Sequence, residues 1–108
     1  MREFYIATRG QYVPRNTLLQ EMIAATYNVA KVNHSFTTNE VFATFGPEAE
    51  AIRKGTANSK LIAVALRKAQ GRGICTPSSF PAVSKDVLSH GRRKARWFSK
   101  IVAPQYAG

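Results

Sequence analysis

The sequence predicts a mainly α-helical domain in which three helices precede a small two-stranded antiparallel β ribbon. Apolar residues recur at helical spacing in three separate stretches, about 17–33, 38–46 and 58–70. A capping residue opens each stretch, and glycine closes the second and third. Two short runs with strand character, 74–76 and 94–98, follow with a long polar segment between them. A chain of 108 residues is near the usual size of one domain, so one core is expected rather than two.

Residues 4–13 (FYIATRGQYV) read as a short strand or hairpin turning at Arg9-Gly10. Thr17 and Gln20 have the spacing of a capping box that opens the first helix. Its apolar stripe is Leu18, Leu19, Met22, Ile23, Ala25, Val29 and Val32, and it ends near Asn33. The clearest local signal is the run from Phe36 to Val41. There Thr37 can accept from the backbone N–H of Glu40 while Glu40 reaches back to the N–H of Thr37. Phe36 and Val41 hold the positions of a hydrophobic staple, and the helix buries Val41, Phe42 and Phe45 before Gly46-Pro47 stops it.

Residues 47–57 read as a connection with room for one helical turn before Gly55. The third helix is placed from Asn58, a good N-cap, to about Gln70, with Gly71 and Gly73 supplying the exit. Leu61, Ile62, Ala65, Leu66 and Ala69 share one face of it, and Lys60, Ala63, Val64 and Arg67 share the other. The strand 74–76 ends at Pro77, and 94–98 is its expected antiparallel partner. The segment 77–93 between them is too long for a tight turn and is expected to project as a loop. The domain is therefore drawn over 17–103, preceded by a strand or arm at 1–16 and followed by a tail at 104–108.

Net charge is +10, from 16 Lys and Arg against 6 Asp and Glu. Residues 1–50 hold four basic and five acidic residues, whereas residues 51–108 hold twelve basic residues and Asp86 alone. A polyanionic partner is expected on the C-terminal half. No apolar run is long enough to span a bilayer, and Thr8, Arg9 and Gly10 interrupt the N-terminal apolar stretch, unlike a signal peptide. The lone Cys75 cannot form an intramolecular disulfide, which suits a reducing compartment, and a cytoplasmic location is expected.

The runs SFTTNEVFATFG, NSKLIAVALRKAQGRGIC and HGRRKARWFSK, in that order, resemble winged helix-turn-helix DNA-binding proteins of phages and mobile elements. The resemblance covers about residues 35–100 and departs from the compact pattern in the long connection at 47–57. It implies a transcriptional regulator or accessory factor that grips double-stranded DNA with one helix and a wing. In such an arrangement the second helix of the pair enters the major groove, leading with its N-terminal part. Here that helix is 58–70.

Residue chemistry points the same way. Asn58, Ser59 and Lys60 put free backbone N–H groups and side-chain donors at a helix N-terminus, where a phosphate is favoured. Ala63 and Val64 allow close approach and contact with a thymine methyl, and Arg67 can reach guanine O6 and N7. Lys68 adds charge beside it. The wing supplies Lys85, His90, Arg92, Arg93, Lys94 and Arg96 for phosphates or the minor groove, with Gly91 to turn the backbone. Trp97 is expected to anchor the ribbon to the core.

No catalytic constellation is expected. His34, His90 and Cys75 stand singly, without metal-ligand spacing or a nucleophile–base pair, and no cofactor is implied. Glu48 and Glu50 could hold a metal for a nuclease, but two carboxylates in a connection are weak grounds. A homodimer is expected because one such unit reads few base pairs, with helix 17–33 or segment 4–13 as its surface. The alternative is a protein-binding module that docks its basic residues on an acidic host protein.

Overall fold

In the computed structural model, which describes residues 3–77 and 96–102, the chain opens on a hairpin of β1 (Glu3–Ile6) and β2 (Gln11–Pro14). Arg9 and Gly10 both donate their amides to the Ile6 carbonyl, at 2.9 and 3.0 Å, and Gly10 closes the turn with a φ of +65°. Strand alternation points Phe4, Ile6 and Val13 into the core, and Tyr5 and Tyr12 outward as an edge-to-face pair. The segment expected as a strand or arm thus belongs to the main core.

Helix α1 (Arg15–Val32) begins two residues before the expected Thr17 box. Pro14 is its N-cap, at φ −60° and ψ 144°, and no side chain caps it. A proline carries the chain straight from strand into helix because its fixed φ suits both. The predicted stripe from Leu18 to Val29 is buried, but Val32 is 73% exposed and lies past its end. Thr26, inside the stripe, returns its hydroxyl to the Met22 carbonyl at 2.8 Å.

A strand without local sequence signal follows, β3 (Ser35–Thr37), and leads into α2 (Thr38–Ala43). The capping box is present: Glu40 donates its amide to Thr37 Oγ1 at 3.4 Å, and Thr37 donates its amide to Glu40 Oε1 at 2.8 Å. Phe36 and Val41 are both fully buried. The helix ends at Ala43, and a 3-10 turn at Gly46–Glu48 starts from Gly46 at φ +66°.

The connection expected at 47–57 contains a further helix, α3 (Ala49–Gly55), so the described residues hold four α-helices rather than three. Ile52 supplies its buried anchor, and Gly55 abuts the β1 backbone. The next helix, α4 (Leu61–Gly71), starts at Leu61 and not after Asn58. Residues 56–60 form a turn in which Ser59 Oγ donates to the Thr56 carbonyl at 2.8 Å and accepts from the Leu61 amide at 3.1 Å. Ser59 therefore does the capping expected of Asn58, and Lys60 enters the helix in a left-handed conformation, φ 56° and ψ 35°. Leu61, Ala65, Leu66 and Ala69 are buried, chiefly against α1.

The chain returns in β4 (Cys75–Pro77) and β5 (Arg96–Ser99), which pair antiparallel with Cys75 opposite Ser99. β5 also pairs with β3, Phe36 opposite Trp97, giving a three-stranded sheet in the order β3-β5-β4. Trp97 is half-buried and packs on the core, as expected. The molecule is thus a compact mixed α/β domain with two small antiparallel sheets. No helix among the described residues is long and apolar enough to cross a membrane.

Candidate nucleic-acid interface

The geometry of α4 divides its side chains cleanly. With Leu61, Ala65, Leu66 and Ala69 turned to the core, Lys60, Arg67 and Lys68 are left exposed. Ala63 and Val64 lie between these two sets and are half-buried. Val64 packs on the edge of the core, so its apolar character has a structural cause and is no independent sign of a ligand. Asn58 is exposed and Ser59 half-buried in the turn just before the helix. Of the residues expected in the wing, Arg96 is exposed on β5 opposite Thr37, and its Nη2 donates to Ser35 Oγ at 3.0 Å. Lys85, His90, Arg92, Arg93 and Lys94 lie outside the described residues.

Four of the five carboxylates among the described residues are engaged elsewhere, Glu3 being the exception. Arg9 binds two of them at once: its Nη1 and Nη2 donate to Glu21 at 3.1 and 2.7 Å, and its Nε and Nη2 donate to Glu48 at 2.8 and 3.0 Å. These hydrogen bonds raise the Arg9 pKa above its already high ordinary value and hold the Glu48 carboxyl below the usual carboxylate range. Glu40 is spent in the capping box, and Glu50 meets Arg53 at 3.2 Å. Lys60, Arg67, Lys68, Arg72, Arg96 and Lys100 make no ion pair among the described residues. The positive charge of the C-terminal half is therefore uncompensated where α4 and β5 carry it.

This pairing also removes the carboxylate pair considered for a metal. Glu48 is held by Arg9 and Glu50 by Arg53, on separate partners. Among the described residues, no three His, Cys, Asp or Glu side chains gather where they could hold an ion. His34 is exposed, and Cys75 is fully buried, with its thiol pKa pushed up to about 11 by loss of solvation.

One cation that sequence reasoning left unassigned sits beside Lys60, namely Arg53. Arg53 lies 5.3 Å from the centre of the Phe42 ring and donates to Asn39 Oδ1 at 3.3 Å. With Lys60 it flanks a cleft of about 240 Å³ among α2, α3 and α4. The missed signal was the basic pair Arg53-Lys54 ending an amphipathic turn, a common way to finish a helix. No family model matches the chain, and neither a curated protein nor a solved structure matches it.

Proposed function

We propose that this chain is a double-stranded DNA-binding protein of the winged helix-turn-helix type, acting as a small transcriptional regulator or accessory factor. In this reading α4 enters the major groove, and the β4–β5 ribbon carries the wing formed by the intervening residues. The observation that carries the reading is the outward face of α4, where Lys60, Arg67 and Lys68 stand exposed beside the small Ala63, with no carboxylate among the described residues paired to them. Such a face suits a groove lined by phosphates and base edges. The strand order β3-β5-β4 supports it further, since β3 ties the ribbon to the helical body. α3 is an addition to the simplest form of this arrangement and lengthens the approach to α4.

The test compares a duplex selected from random sequence with a scrambled one, at several salt concentrations. Arg67→Ala should cost ~1–3 kcal/mol on the selected duplex and much less on the scrambled one. Equal losses on both would remove α4 as the reading helix. Failure to bind any duplex at moderate salt, with tight binding to one host protein, would replace this reading with the protein-binding one.

A further inference from the structure

The cleft among α2, α3 and α4 has two kinds of wall. Phe42, Ile62 and Ala63 line it with apolar side chains, and Arg53 and Lys60 are the charged residues of its lining. Thr56 also lines it, but its hydroxyl already donates to the Ile52 carbonyl at 2.8 Å. No carboxylate lines the cleft among the described residues. Glu50 and Asn39 each accept from one terminal nitrogen of Arg53, whose guanidinium lies over Phe42. Each of those nitrogens carries a second N–H.

Lys60 adds an independent observation. It is the one non-glycine residue with positive φ among the described residues. Glycine or asparagine would hold that conformation at lower cost. A lysine there puts a long cationic side chain in the lining of the cleft, and strained backbone of this kind collects at ligand sites.

We propose that this cleft binds a small organic anion with a flat apolar body, of the size of a single-ring carboxylate. The ring lies on Ile62, Ala63 and Phe42, and the anionic group sits between Arg53 and Lys60. An apolar lining with a few charged or polar groups is the usual division of labour in a small-molecule site. Because Lys60 also belongs to the proposed DNA face, occupancy of the cleft should compete with DNA; this coupling rests on the DNA-binding reading, whereas the site itself does not.

The probe is benzoate, with benzamide as its uncharged counterpart, titrated into the full chain without DNA. Backbone amide resonances of Ala57, Ile62 and Ala63 report binding. Benzoate should produce saturable shifts in the millimolar range expected for so few atoms, with benzamide about tenfold weaker. Arg53→Gln and Lys60→Gln, both exposed positions, should each weaken benzoate while leaving the rest of the spectrum in place. Saturating benzoate should lower duplex affinity about fivefold, and Lys60→Gln should abolish that effect. Absence of saturable shifts, equal binding of benzamide, or unchanged benzoate binding in Arg53→Gln would overturn the site. So would shifts at these amides with duplex DNA and none with benzoate, since the cleft would then belong to the DNA interface. If no duplex binds at all, the DNA reading falls, and the benzoate titration still decides the site alone.

Discussion

Replacing Gly55 by alanine should destabilise the fold, although alanine is the better helix former. A Cβ at this position would stand 2.8 Å from the Tyr5 carbonyl oxygen and 3.2 Å from Ile6 Cδ1. The first of these is backbone, held by its pairing to β2, and cannot rotate aside as a long side chain would. Forcing such contacts costs about 1–3 kcal/mol. The gain from replacing a helical glycine offsets about 0.5–1 kcal/mol of it. A net loss of up to about 2.5 kcal/mol follows, about 1 kcal/mol at mid-range, and each 1 kcal/mol lowers Tm by about 4–8 °C in a domain of this size. Gly71 is the internal control, because it also ends a helix, is exposed, and its Cβ would meet nothing within 4 Å. Gly71→Ala should raise stability by about 0.4–1 kcal/mol. Urea denaturation followed by far-ultraviolet circular dichroism measures both, and the two midpoints should move in opposite directions. A Gly55→Ala midpoint at or above that of the parent would refute the close docking of the hairpin on α3.

Three further outcomes are expected. Thr37→Ala removes one arm of the capping box and should cost ~0.5–2 kcal/mol in chemical denaturation without altering duplex preference. An unchanged midpoint would mean that the cap is dispensable. Arg9 lowers the Glu48 pKa in the folded state, so the unfolded chain takes up this proton first, near the ordinary value of 4.5. The stability advantage of the parent over Glu48→Gln should therefore be full above that pH and shrink as the pH falls through the lower folded value; an advantage that grew on acidification would contradict the pairing. Buried and with its pKa near 11, the Cys75 thiol should react with a disulfide reagent at neutral pH only as fast as the protein opens, which a comparison of rates with and without urea will show.

The parts of this fold that were legible in the sequence are those whose cause is local. The Thr37–Glu40 box lies within four residues, and the apolar faces of α1 and α4 repeat at every turn. What escaped has a distant cause. β3 is three residues long and owes its strand geometry to β5, some sixty positions later. α3 buries Ile52 alone among its residues, so its stretch has the punctuation of a loop, with Pro47 before it and Gly55 at its end. The start of α4 slipped from Asn58 to Leu61 because the Ser59 hydroxyl captures the turn that Asn58 would have capped. At the candidate interface, the outward place of Arg67 was readable from helical phase. Arg53 was not, since its place near Lys60 depends on a helix the sequence did not announce.

The middle position of β5 bears on the order in which the molecule can assemble. Among the described residues β3 and β4 are joined only through it, so until residues 96–99 arrive neither three-residue strand has a partner there. On a chain emerging from the ribosome, the β1–β2 hairpin and the α1–α4 packing can form first, from segments already synthesised. The sheet must wait for a contact that closes a loop of about sixty residues, which is slow for entropic reasons. Before that moment Phe36 and Cys75, both fully buried in the finished fold, lack the strand that lies between β3 and β4. Among the described residues, a nascent or truncated chain ending before Arg96 would therefore leave two short strand edges unpaired, the kind of surface that chaperones and neighbouring chains capture.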